Sequence, residues 1–225
     1  MRICSLLPSA TEIAFALGLG DAVVGVTHEC DYPPQAKQKP VVVRSGDMLR
    51  DIERVGEAAA RQSAASSLIE SLRERIHFVT ERAKKSAYRP RVACLEWLDP
   101  LYNAGHWIPE MVELAGGTAG LAEKGKPSTK IEWERVIEFA PEVIVLMPCG
   151  FDVERTLKEA PPIQRLPGWK NLPAVKQGQV FAVNGHAYFS RSGPRLVDGL
   201  EILAHILHPE LFPGEPAPDA AQRLT

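Results

Sequence analysis

Aromatic, imidazole, thiol and carboxylate side chains gather in five short stretches of this sequence, each directly after an apolar run. They are Pro8-Ser9-Ala10-Thr11; His28-Glu29-Cys30-Asp31-Tyr32; Glu96-Trp97 followed by Tyr102 and His106-Trp107; Pro148-Cys149-Gly150-Phe151; and His186-Ala187-Tyr188-Phe189-Ser190-Arg191. Three kinds of chemistry could use them. His28, Cys30, His106, Cys149 and His186 are transition-metal ligand types, but their separations match no compact ligand pattern, and no protein-held metal is expected. Ser9, Cys30 and Cys149 follow strand-like runs as nucleophiles do, yet none sits in a G-x-S-x-G elbow and none has a histidine matched to it locally. The third use is contact: rings supply apolar area and a few polar groups orient a flat or bulky ligand. Trp97 and Trp107 could instead fill a core, but Pro100, Asn103 and Gly105 around them favour a surface turn and partial exposure.

The elements that must position these groups alternate between strand and helix. "RICSLL" reads as a buried strand, and Ser9 or Thr11 is placed to cap a helix over "EIAFALG" that stops at Gly18 or Gly20. "AVVGVT" and "PVVVRS" are further strands of a parallel beginning. Helix formers then take over. Leu68, Ile69, Leu72, Ile76, Val79 and Ala83 recur at helical spacing, which predicts a 22-residue helix from Ala64 to Lys85, about 33 Å long. After "YRP" the alternation resumes: strand "RVACLEW", helix "IPEMVELAGG", helix "KIEWERVIEFAP", strand "EVIVLMPCG", last strand "GQVFAVNG" and a closing helix in "GPRLVDGLEILAHILHP". Ser192 is its expected cap, Pro194 suits its first turn, and His186 to Arg191 are expected to arch as a loop before it. The Pro-rich tail "ELFPGEPAPDAAQRLT" is expected to be loosely ordered. "RICSLLPSATEIAFALGLG" is faintly echoed by "RVACLEWLDPLYNAGHWIPEMVELAGG", which suggests two similar lobes.

Composition excludes several function classes. A chain of 225 residues, 45% hydrophobic, can bury a core in one large domain or two lobes. A formal charge of −2 with scattered Lys and Arg gives no footprint for nucleic acid. No apolar run approaches the ~18 residues of a membrane span, so no membrane insertion is expected. The N-terminal residues read as fold, not as a signal peptide, so as written the chain would stay in the cytoplasm. Four cysteines at 4, 30, 94 and 149 form no C-x-x-C pair. Cys4 and Cys94 lie inside strand-like runs and are expected to be buried, while Cys30 and Cys149 follow such runs and are better placed to meet a ligand. Neither G-x-G-x-x-G nor a P-loop occurs, and "AGGTAG" at 115–120 reads as a helix stop.

With these residues in view, the chain resembles the cobalamin- and siderophore-type substrate-binding proteins of ABC transporters, most closely the cobalamin-binding branch. The resemblance rests on "SLLPSATEIAFALGLGDAVVGVTHECDYP", "DIERVGEAAAR", "CLEWLDPLYNAGHWIPEMVELAGG", "PEVIVLMPCGF" and "VNGHAYFSRSGPRLVDGLEIL", in order over most of the chain. It implies an α/β fold of two parallel-sheet lobes joined by a long helix, here with a shortened N-terminal lobe. The implied divisions are an N-terminal lobe at 1–48, a connecting helical segment at 49–88 and a C-terminal lobe at 89–225. It implies a non-catalytic ligand-binding cleft lined by Pro8, Ser9, His28, Glu29 and Tyr32 from one lobe. From the other come Glu96, Trp97, His106, Trp107, Cys149, Gly150, Tyr188, Phe189 and Arg191.

The implied ligand is cobalamin or another corrinoid, with no intrinsic cofactor. The implied partner is an ABC permease, and the implied compartment is periplasmic or otherwise extracytoplasmic. Two other readings stand beside this one: a homo-oligomeric or partner-interaction module derived from the same fold, and a thiol- or metal-dependent enzyme using Cys149 or Cys30.

Overall fold

The computed structural model describes residues 1–44 and 46–224. Ser45, at the end of the expected third strand, and Thr225, the end of the tail, lie outside them. The chain divides into two compact units, Met1–Glu74 and Arg75–Thr225.

The first unit is a three-stranded parallel sheet in the order β1 (Ile3–Ser5), β2 (Val23–Thr27), β3 (Val41–Val43), with helix α1 (Pro8–Ala16) between the first two strands. Neither Ser9 nor Thr11 caps α1. Leu7 is the N-cap and makes no side-chain cap bond, and Pro8 opens the first turn, where its missing N–H costs nothing. Thr11 is turned inward instead, its hydroxyl 2.8 Å from the Ser5 Oγ and 3.1 Å from the Cys30 Sγ. Ala14, Val23, Val26 and Cys30 form the small core, with Ile3, Phe15, Leu19 and Val41 against it.

Helix α2 (Met48–Ala58) begins at Asp47, whose carboxylate accepts the Arg50 N–H at 3.0 Å. Its buried Asp51 accepts the Arg44 N–H at 3.1 Å, which ties the helix to the chain leaving β3. The long helix α3 spans Gln62–Ala83, 22 residues, starting and ending two residues earlier than its sequence pattern suggests. Ile69, Leu72, Val79 and Ala83 are its buried stripe, while Leu68 lies off it and is exposed. The boundary between the units falls inside this helix.

The second unit is built on a six-stranded sheet. Its path is β5 (Leu101–Asn103), β4 (Arg91–Leu98), β7 (Val143–Leu146), β8 (Val180–Val183) and β9 (Ala221–Arg223), with β6 (Thr118–Ala119) also pairing β4. Strands β4, β7 and β8 are parallel, and β7 and β8 are buried throughout, as continuous apolar runs in a covered sheet should be. Around them lie α4 (Ile108–Leu114), α5 (Trp133–Phe139), α6 (Val153–Glu159), α7 (Pro161–Gln164), α8 (Pro173–Lys176), α9 (Gly185–Tyr188) and α10 (Leu196–Leu207). Leu95, Ile144, Leu146, Ile163, Trp169 and Leu172 are central to its core.

Four expectations fail here. Leu101–Asn103 is not loop but the return strand of a hairpin, with Leu98 opposite Leu101. The end of the tail is not loose: β9 adds antiparallel to β8, Val183 opposite Ala221 and Phe181 opposite Arg223, so backbone pairing orders the last residues of a segment whose composition argues against order. His186 to Tyr188 belong to the short helix α9, capped by the Asn184 side chain, which accepts the Ala187 N–H at 2.9 Å. Finally, the N-cap of α10 is Arg195, with no side-chain cap bond, so Ser192 does not cap it.

Candidate ligand-binding site

The strongest constellation lies in the second unit at the carboxyl ends of β4 and β7, where an open parallel sheet exposes its loops. Backbone pairing continues past β7: Met147 N–H donates to Leu95 O at 2.9 Å and Cys149 N–H to Glu96 O at 3.1 Å. The extension holds Glu96 and Trp97 alongside Cys149 and Phe151. Trp97 meets Phe151 edge-on at 5.3 Å between centroids, and the Arg155 guanidinium lies 3.7 Å from the centre of the Phe151 ring. Trp97 remains 37% exposed, its indole N–H donating to Asp99 O at 3.0 Å. Gly185 draws α9 against this loop, since a Cβ there would sit 2.5 Å from Pro148 O. His186 N–H then donates to Phe151 O at 3.0 Å.

The loop from Ala104 to Trp107 is fixed by a second strip of backbone. His106 N–H donates to Lys126 O at 2.6 Å, and His106 O accepts from Gly125 N–H at 2.8 Å. The strip passes so close that a Cβ on residue 105 would lie 2.5 Å from Lys126 O, which explains Gly105. His106 itself is held at φ 55, a left-handed conformation that costs a non-glycine residue of order 1 kcal/mol. Ser128 links the two layers: its hydroxyl accepts from Gly105 N–H at 3.0 Å and donates to the Glu96 carboxylate. Trp107 is half-buried and donates its indole N–H to Phe189 O at 2.9 Å.

Glu96, His106, Trp107, Met147, Cys149 and Ser190 thereby surround a cavity of about 140 Å³. That is below the ~300–1,000 Å³ of a pocket enclosing a drug-sized ligand, so it can seat a substituent but not a whole macrocycle. Trp97, next to Glu96 in β4, does not line this cavity; it is exposed against Phe151.

In the first unit the expected residues occupy one edge of the smaller sheet, because β1 and β2 are parallel and their carboxyl ends lie together. Pro8 and Ser9 open α1, with Ser9 exposed. His28, Glu29 and Tyr32 follow β2, all exposed; Tyr32 is 61% exposed, and the His28 Nδ1 lies 3.4 Å from Val43 O.

Several expected groups are placed differently. Phe189 is 3% exposed and cannot offer a ring face; its carbonyl anchors Trp107 instead. Cys30 is buried, with its thiol 3.1 Å from the Thr11 hydroxyl and 3.3 Å from that of Thr27, so it faces neither ligand nor solvent. Cys4, expected to be buried, is half-buried, and burial raises its pKa. Cys94 is fully enclosed, and desolvation pushes its thiol up to about 12. Tyr188 lines a separate groove beside Phe78 and Phe212. Arg191 is exposed and donates to the His186 Nε2 at 2.6 Å, and Gly150 is exposed at φ 81. Ser128 and Met147 escaped the sequence reading, since Ser128 follows no apolar run and Met147 reads as part of the strand it ends. Among the described residues no three His, Cys, Asp or Glu side chains converge as a metal site would require, and no hydrogen bond joins the Cys149 thiol to a histidine.

Comparison with known proteins agrees with this architecture. An ABC transporter substrate-binding lipoprotein of Bacillus subtilis is 25% identical, over 94% of this chain and 81% of its own length. That alignment spans 264 positions, more than the 225 residues of this chain, so the relative carries internal residues that this chain lacks. A vitamin B12-binding protein of Vibrio cholerae is 26% identical, over 89% of this chain and 86% of its own.

Among solved structures, the periplasmic vitamin B12-binding protein of Vibrio cholerae superposes at a TM-score of 0.59 with 22% identity, covering 92% of this chain and 96% of that one. The periplasmic heme-binding protein of Roseiflexus sp. RS-1 superposes at 0.62 with 21% identity, covering 93% and 98%. An ABC transporter substrate-binding protein of Listeria monocytogenes superposes at 0.68 with 16% identity, covering 92% and 98%. At these identities the structures speak for the fold. A family model described as "Periplasmic binding protein" matches residues 42–186, well over half of the sequence, and the chain therefore belongs to that family of substrate-binding proteins.

Proposed function

We propose that this protein is the substrate-binding component of an ABC importer and that its ligand is of the corrinoid type, cobalamin or a close relative. The observation that carries the reading is the rim at the ends of β4 and β7, where Trp97 stands exposed against Phe151 and where His106, Trp107 and Cys149 line a cavity that takes only a substituent. Such a rim suits a large flat ligand that is laid on, not swallowed. The relatives named as vitamin B12-binding proteins support the choice of ligand. Membership of the family supports an extracytoplasmic site of action and a permease as partner. No helix among the described residues is long and apolar enough to cross a membrane.

Calorimetric titration with cyanocobalamin, cobinamide and haemin tests the proposal. Saturable corrinoid binding at micromolar concentration is expected, weakened at least ~10-fold by Trp97→Ala, the loss of one ring contact. Saturation by haemin with no corrinoid response would replace the ligand class, since a heme-binding protein shares this fold.

A further inference from the structure

Helix α1 carries apolar residues on both sides. Its inner side, Thr11 and Ala14, faces the sheet. Its outer side carries Ser9, Ala10, Ile13 and Ala16 and runs on to Leu17 at the C-cap, all exposed, with Ile13 at 59% and Leu17 at 69%. Leu6 and Leu7, just before the helix, are exposed as well. Glu12 is the sole charge from residue 3 to residue 20, and it stands about 100° around the helix from Ile13, on the flank of the stripe. A helix apolar all round belongs in an interior, and an exposed apolar patch of several hundred Å² marks an interaction site.

We infer that this face is where a second copy of the chain docks, with the two α1 helices antiparallel across a two-fold axis. The order of large and small residues fits that pairing in one register. With the axis passing between Ala10 and Ile13, Ile13 of each copy meets Ala10 of the other, and Leu17 meets the Leu6 turn. A two-fold contact requires a patch complementary to itself, and an uncharged stripe with large residues opposite small ones satisfies this without placing like charges together. Leu6, Leu7, Ile13 and Leu17 each present on the order of 100 Å². With the small residues between them, the two copies cover about 1,000 Å², the lower bound of a specific interface, so the dimer is weak and concentration-dependent.

Sedimentation velocity of the whole chain, from low micromolar to several hundred micromolar, is the test. A reversible monomer–dimer equilibrium is expected, weakened about 100-fold or more in the double variant I13E/L17E. Both positions are exposed, so the variant keeps the melting temperature of the parent. A parent that stays monomeric across the range overturns the inference, as does a dimer that persists unchanged in the double variant. A mixture of A10C and I13C chains, each also carrying C149S, should cross-link between unlike chains in preference to like ones; the reverse preference overturns the register.

Discussion

The two units solve the same problem with unequal means. The second surrounds a buried parallel sheet with helices on a core that includes Leu95, Ile144, Leu146 and Trp169. The first holds three short strands around Ala14, Val23, Val26 and Cys30, and stitches them with buried hydroxyls: Ser5, Thr11 and Thr27 are all enclosed near the Cys30 thiol. A small core has less apolar area to bury, so a larger share of its stability rests on polar groups that must be satisfied. It also leaves Ile13 and Leu17 of α1 exposed on one helix face.

The largest effect should come from the core of the second unit. Trp169 is buried and stacked on Trp133 at 6.0 Å, and Trp169→Ala should lower its unfolding free energy by about 3–5 kcal/mol in a urea titration. If the transition of the first unit moves with it, the two units unfold as one.

The second concerns Cys94. Burial pushes its thiol up to about 12, from the ordinary thiol value near 9, so the folded state holds its proton where the unfolded state has released it. Stability from this group is complete below pH 9 and declines as pH rises from 9 to 12, by as much as ~4 kcal/mol for a gap of about 3 units. Cys94→Ala should flatten that slope, and iodoacetamide should label exposed Cys149 in the native protein while sparing Cys94.

Thr11→Val removes one hydroxyl from the cluster of the first unit and leaves Ser5 and Cys30 without that partner. A loss of about 1–3 kcal/mol is expected, seen as faster hydrogen exchange in β1 and β2 with β7 and β8 unaffected. Trp97→Ala should change stability least, by under ~1 kcal/mol, because the ring is partly exposed; a loss of several kcal/mol in thermal melts would place it in the core instead.

Much of the fold is legible in the residues. β7 and β8 are continuous apolar runs, and α3 shows its period of 3.6. The errors share a cause. The strands at Leu101–Asn103 and Ala221–Arg223 exist because β4 and β8 offer them backbone partners, and no local pattern announces a partner distant in sequence. Thr11 looked like a cap because its type suits one; what turned it inward was the presence of Ser5 and Cys30.

For the site the division is similar. The sequence by itself determined that rings, imidazoles and thiols follow the apolar runs, because in a parallel sheet the residues after each strand fall at one edge. Only the tertiary structure decided which of them face outward. Trp97 stays exposed because the pairing beyond β7 leaves it room beside Phe151, and His106 is held at φ 55 by a strip of backbone some twenty residues away. Phe189, of the same chemical type and in an equally promising stretch, is buried, because a side chain's exposure is set by what packs over it and not by its own identity.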